Sequence, residues 1–191
     1  MKKIGLLIAT AALISFVGCK ENKKDAIVVV EKVVSDVKKT PQKSVSFRLE
    51  SKNESNTTGK AQFVELDGSV SFYMEVMGLN PGVHAVHIHE KADCSSPDGK
   101  SAGGHWNPTL SKHGKWGNAE GFHRGDIGNL TADKNGNGRI TLKTNEWCIG
   151  CDDDKMNVIG KGIIVHQGAD DYVTQPTGAA GGRISCGGII Q

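Results

Sequence analysis

The chain has 191 residues, with 23 Lys and Arg against 21 Asp and Glu and a formal net charge of +2. That balance leaves no broad basic face for nucleic acid, and the length allows one ordinary domain with an appendage. Twenty-five glycines against three Trp, two Tyr and five Phe favour a loop-rich β protein over a helical one.

Lys2 and Lys3 precede an apolar run from Ile4 to Val17. A charged start, a short apolar core and a small residue before the cut make residues 1–18 a secretory signal. The run is too short for a comfortable membrane span. Phe16-Val17-Gly18-Cys19 resembles a bacterial lipoprotein cleavage box, which makes Cys19 the expected lipid anchor. The alternative is ordinary cleavage, with Cys19 an odd thiol. Acyl chains contribute about 0.8 kcal/mol per buried CH₂, so several would hold the protein firmly at a membrane. The expected place is therefore the bacterial cell envelope, lipid-anchored in the periplasm or at the outer membrane. Residues 19–44 form a Lys-rich tether with seven lysines and four acids. Val30, Val33, Val34 and Val37 fall at helical spacing, although the β-branched run would equally suit a strand. Residues 45–191 carry 14 basic and 17 acidic residues, so the basic excess belongs to the signal and tether.

From Ser44 the hydrophobic period becomes two. Val45, Phe47 and Leu49 alternate with polar residues, and Phe63 and Leu66 mark a second short run. Val70, Phe72, Met74 and Val76 alternate again before a turn at Asn80-Pro81-Gly82. Further strands are predicted over 83–89, 127–132, 139–144, 161–166 and 183–186. Eight short strands broken by Gly, Asn and Pro predict an all-β antiparallel sandwich or barrel. Two long connections are left over, 90–126 and 167–182, and such loops are usually functional. Asp133-Lys134-Asn135-Gly136-Asn137-Gly138 imitates half of a calcium loop, but position twelve is Thr144 instead of Glu. It reads as a hairpin turn, with Asn-Gly supplying positive φ.

Six of the seven histidines lie between His84 and His123, and His166 follows later. Imidazole is the commonest metal ligand among side chains. His87 and His89 form an H-x-H pair whose side chains share one face of a strand, while Val86 and Ile88 face the core. His113, His123 and Asp126 are spread among Gly114, Gly117, Gly121 and Gly125, which let the backbone bend around an ion. Three imidazoles and a carboxylate suit structural zinc. Four imidazoles suit copper. The counts match two metals if one histidine is shared, and His105 lies between the two groups. His84 reads as a structural imidazole near the H-x-H strand.

The secretory signal implies an oxidising compartment, in which cysteines can pair. For Cys148-Ile149-Gly150-Cys151, followed by Asp152-Asp153-Asp154, a small structural disulfide is expected. Negative charge beside the thiols argues against a redox motif. A free pair or an accessory copper-binding spot are the alternatives.

These residues carry a family resemblance. His84-x-x-His87-x-His89-Glu90, Gly103-Gly104-His105-Trp106-Asn107-Pro108, His113-Gly114 and His123-x-Gly125-Asp126-x-Gly128-Asn129 resemble, in order, the copper/zinc superoxide dismutases. Val165-His166, Ala169-Asp170-Asp171 and Gly178-Ala179-Ala180-Gly181-Gly182-Arg183-Ile184-Ser185-Cys186-Gly187 continue the likeness, which covers roughly residues 45–191. The resemblance implies a flattened eight-stranded Greek-key barrel, an immunoglobulin-like sandwich, with one copper and one zinc per chain. It assigns copper to His87, His89, His105 and His166, and zinc to His105, His113, His123 and Asp126. His105 is then the bridging ligand and proton carrier, Asp170 a carboxylate behind one histidine of each set, and Arg183 the cation beside the copper channel. It also implies a Cys94–Cys186 disulfide joining the long loop to the barrel. The implied activity is dismutation of superoxide in the cell envelope, with a homodimer compatible with the family. One departure is that 167–182 contains no lysine, while Asp170 and Asp171 are acidic. Lys91, Lys100, Lys112 and Lys115 are then the candidates for steering an anion. The competing reading is a non-enzymatic copper-binding or copper-delivery module on the same fold. A zinc hydrolase is disfavoured because the chain lacks H-E-x-x-H.

Overall fold

The period-two runs become strands because each buries one face. Val70, Phe72, Met74 and Val76 are buried along β3 (Ser69–Met77), while the residues between them are exposed or half-buried. In the computed structural model, which describes residues 42–191, the other strands are β1 (Lys43–Ser51), β2 (Thr58–Leu66), β4 (Gly82–His89), β5 (Gly128–Ala132), β6 (Gly138–Thr144), β7 (Gly162–His166) and β8 (Arg183–Gly188). The signal, Cys19 and tether residues 19–41 lie outside the described residues. β1 begins at Lys43, two residues inside the stretch read from composition as tether.

All neighbouring strands are antiparallel, in the order β5-β4-β7-β8-β1-β2-β3-β6. The two end strands, β5 and β6, are joined by the turn after Ala132, closed by the Asp133 N–H donating to Asn137 O at 2.9 Å. Asp133 Oδ1 accepts from the N–H groups of Asn135 and Asn137, so its carboxylate organises a hairpin turn. The eight strands thus form a nearly closed barrel. Its interior holds Phe63, Phe72, Met74, Ile88, Trp147 and Ile163, all at most 1 % exposed.

Side-chain parity explains where the chemistry sits. Val86 and Ile88 of β4 and Ile163 and Val165 of β7 point into the barrel. His87 and His89 alternate with them and point outward, as does His166. Outward residues of a barrel are normally wet, but these three histidines are at most 4 % exposed. The cover comes from the connections 90–127 and 167–182, which lie between β4 and β5 and between β7 and β8. Beneath that cover Ala102, Ile164 and Cys186 make a small second apolar cluster. Cys94 is bonded to Cys186, fastening the first connection to β8. Cys148 is bonded to Cys151 in the connection between β6 and β7.

Candidate metal centre

The first long connection folds back along β4. Trp106 N–H donates to Ile88 O at 2.8 Å, Ile88 N–H donates to Gly125 O at 2.8 Å, and His89 and His105 form an isolated bridge. Gly125 is required at this crossing, since a Cβ there would overlap Ile88 O. The return brings His105 against His87, with ring centroids 4.0 Å apart. It also places His123 and Asp126 beside His105.

Two groups of ligand atoms result, each with its members within 4.8 Å of one another. One is His87, His89, His105 and His166; the other is His105, His113, His123 and Asp126. Every residue of both groups is buried, and His105 belongs to each. In the first group the atoms without a hydrogen-bond partner are His87 Nδ1, His89 Nε2, His105 Nε2 and His166 Nε2. Unpartnered buried polar atoms are rare and call for an explanation such as an ion. The opposite ring nitrogens are occupied. His87 Nε2–H donates to Asp170 Oδ2 at 2.8 Å, His89 Nδ1–H to Gly103 O at 3.0 Å and His166 Nδ1–H to Gly181 O at 3.3 Å. Each outer bond fixes the tautomer and turns a lone pair into the shared space. Four convergent imidazole lone pairs fit copper.

In the second group, His105, His123 and Asp126 are spaced like three corners of a tetrahedron. Zn–N bonds near 2.0–2.1 Å place ligand atoms about 3.3 Å apart at the corners of a tetrahedron. Asp126 Oδ1 is 3.0 Å from His105 Nδ1 and 3.2 Å from His123 Nδ1, and those two nitrogens are 3.4 Å apart. His113 Nδ1 lies 3.0 Å from Asp126 Oδ2 without making a hydrogen bond to it. Three nitrogens and a carboxylate at these separations fit zinc. His105 thus presents Nδ1 to the zinc-sized group and Nε2 to the other.

Asp170 stands behind both groups, accepting from His87 through Oδ2 and from His113 Nε2–H through Oδ1 at 2.8 Å. Gly178 makes room for it, because a Cβ at that position would overlap Asp170 Oδ1. His84 belongs to neither group. Its ring nitrogens face His166 O at 2.9 Å and Asn80 O at 2.8 Å, so it ties β4 to the end of β7. Arg183 is half-buried and donates to Gly99 O and Gly103 O, both at 2.8 Å. Since Gly103 O also accepts from His89, the guanidinium and one ligand of the copper-type group share a carbonyl.

Burial, then the neighbouring His105 and His166, push His89 well below the usual imidazole range. Burial and His87 do the same to His166. Arg183 lowers both further. Burial brings His105 down to about 4 against the opposing pull of Asp126. Burial also acts on His113, but the close carboxylates of Asp126 and Asp170 outweigh it and raise it to about 9. Asp126 and Asp170 are held well below the carboxylate range by their histidine bonds, against the cost of burial.

Two supports escape a reading of the sequence. Gln175 pairs its side-chain amide with the backbone of His113, accepting its N–H at 2.8 Å and donating to its carbonyl at 2.9 Å. Trp147 donates its indole N–H to Arg124 O at 3.0 Å. Both partners are backbone groups, which carry no signature in a sequence.

The profile described as copper/zinc superoxide dismutase (SODC) matches residues 57–189. A relative named superoxide dismutase [Cu-Zn] 2 from Aquifex aeolicus is 39% identical over 140 residues, covering 71% of this chain and 81% of that protein. The superoxide dismutase-like protein YojM of Bacillus subtilis is 35% identical over 144 residues, covering 71% and 72%. Among solved structures, a double mutant of a superoxide dismutase-like protein from Bacillus subtilis superposes with a TM-score of 0.68 at 32% identity. That match covers 76% of this chain and 97% of the other. A protein described as the clock protein EA4 gives 0.67 at 33% identity, covering 79% and 97%. Two ligand groups sharing one histidine, on an eight-stranded barrel with these relatives, place the chain in the copper/zinc superoxide dismutase family.

Proposed function

We propose that the protein dismutates superoxide, with copper held by His87, His89, His105 and His166 and structural zinc by His105, His113, His123 and Asp126. The observation that carries this reading is the single imidazole of His105, shared by two buried four-atom groups. Copper supplies a one-electron couple when bound, so that one superoxide is oxidised to dioxygen and a second is reduced to peroxide. Zinc has no such couple, which leaves it a structural task.

The residues then divide the work. With Nδ1 on the side of the second group, Nε2 would be the His105 atom able to hold a proton, whenever it is not serving as a metal ligand, and to pass it to the peroxide product. His87, His89 and His166 hold their lone pairs inward through their outer hydrogen bonds. Asp170 keeps His87 and His113 in register through one carboxylate. Arg183 offers a permanent positive charge and planar donors to a small anion. The signal over residues 1–18 and the box before Cys19 support action in the cell envelope, on superoxide met outside the cytoplasm. Cys19 is then the lipid anchor.

The test is reconstitution. The purified protein, loaded with both metals, should contain one copper and one zinc per chain and should dismutate superoxide. Elemental analysis showing only zinc after copper loading would overturn the copper assignment.

A further inference from the structure

From Trp106 to Ile127 the chain contains no helix or strand, yet this stretch presents His113, His123 and Asp126 as buried groups. A loop without backbone regularity must be held by side chains or by its ligand. One side chain that holds it comes from outside the loop, from the connection between β6 and β7.

Trp147 is 1 % exposed and stands on the barrel core, edge-on to Phe63 at 5.7 Å and to Phe72 at 6.4 Å between ring centroids. Its other side reaches the loop at two places. The indole meets Trp116 at 5.1 Å, and Trp116 packs on Phe122 at 4.9 Å. Those two aromatics lie near either end of the excursion between His113 and His123. The indole N–H donates to the carbonyl of Arg124, the residue after His123 and two before Asp126. The preceding residue, Glu146, pairs its carboxylate with the Arg124 guanidinium. One dipeptide therefore grips Arg124 by both backbone and side chain.

The grip is itself anchored. Ile149 N–H donates to Glu65 Oε2 at 2.8 Å, and Lys43 Nζ donates to Ile149 O at 2.9 Å. The Cys148–Cys151 bond closes the adjoining turn. Cys148 also exchanges backbone bonds with Met156 and Val158.

We propose that Trp147 is the positioning residue of the zinc group, keeping its loop ordered so that little ordering is left for the metal to impose. Pre-ordering of ligands raises affinity by removing an entropic cost, and supports behind the ligands change metal affinity by about 10–100-fold. The effect is confined to one metal. His87, His89 and His166 ride on β4 and β7, and His105 is held by the Trp106–Ile88 backbone bond. Trp147 makes no hydrogen bond to any of these four. The proposal rests on the assignment of zinc to the second group.

The experiment compares metal-free wild type with Trp147→Phe, which keeps an aromatic ring and removes the donor, and with Glu146→Gln. Zinc and copper affinities are measured separately by chelator competition. Cobalt(II) placed in the zinc group reports its geometry by visible absorption, and hydrogen exchange reports order over residues 115–126. Trp147→Phe should bind zinc about 10-fold more weakly, alter the cobalt spectrum and speed exchange, with copper affinity within about 2-fold of wild type. Glu146→Gln should weaken zinc by about 2-fold, the scale of an exposed ion pair. Phe72→Leu, which damages the same aromatic cluster without touching the loop, should lower Tm and leave zinc affinity unchanged. Zinc affinity in Trp147→Phe equal to wild type, or zinc and copper falling by the same factor, would overturn the proposal. If Trp147→Phe does not fold, unchanged zinc affinity and exchange in Glu146→Gln overturn it instead. A wild type that takes up no zinc would strike the assignment of the site, whereas a zinc-binding wild type matched by its variants would strike only the role of Trp147.

Discussion

His113 is flanked by two carboxylates, with Asp126 Oδ2 3.0 Å from one ring nitrogen and Asp170 Oδ1 2.8 Å from the other. Raised to about 9, it carries a proton at neutral pH in the metal-free protein, and a ligand must lose that proton before it binds. Zinc uptake at pH 7.5 should therefore release about one proton from this group. The apparent affinity should rise about 10-fold per pH unit until pH approaches 9. Calorimetry in buffers of different ionisation enthalpy measures the release, and none at all would show that His113 is already neutral. Stability of the metal-free protein follows with opposite signs on two sides. His113 is raised above its unfolded value near 6.5, so its contribution is complete below that pH and is lost as pH rises through about 9. His105, lowered to about 4, contributes fully above 6.5 and loses this as pH falls toward 4. Tm of the metal-free protein should peak near pH 6.5, and zinc should abolish the alkaline decline. Arg183 adds a separate prediction. Arg183→Lys keeps the charge but not the pair of bonds to Gly99 and Gly103, and should cost several-fold in activity. Arg183→Glu should cost more than 10-fold with copper content unchanged, since it puts a negative charge where an anion arrives. Full activity in Arg183→Glu at low salt would make the arginine a loop fastener and nothing more.

At the scale of elements, strands hold three ligands of the copper-type group, and the loop supplies every other ligand. His123→Ala should accordingly release zinc and make the 90–127 connection more sensitive to protease, while some copper stays bound through His87, His89 and His166. Loss of copper with zinc retained would mean that the two groups are exchanged. The division also explains what a sequence can disclose. β3 is plain because four large apolar side chains alternate along it. β2 is less so, for Thr58–Gln62 is polar apart from Ala61, and Gly59 presents no side chain where a Cβ would overlap Glu75 O. The histidines announce themselves by type and spacing, and the H-x-H pair even gives the face of β4. Asp170 is reached only through the family likeness, since its two histidine partners stand 57 and 83 residues away. Gln175 and Trp147 stay hidden because they bind loop backbone.

For the whole molecule, the described barrel offers an anion little general attraction, as residues 45–191 carry more acids than bases. Asp170 is buried on two imidazoles, which leaves Asp171 as the exposed acid of that pair. Lys100 is paired with Asp98 at 2.8 Å, whereas Lys91, Lys112 and Lys115 are exposed. Capture should then depend on a local field around Arg183. Activity should fall between 0.01 M and 0.1 M salt, as the screening length shrinks from about 30 Å to about 10 Å. Neutralising Lys91 or Lys100 should cost less than changing Arg183, a ranking that kcat/KM at low salt measures directly. The outward placement of His87, His89 and His166 also governs how such a molecule wears out. If copper sits on that face, peroxide formed there would have the barrel wall between it and the interior, where Met74 lies fully buried. Damage should begin on the ligating imidazoles and on exposed Met77, and an aged molecule should become a catalytically spent one whose barrel is still intact.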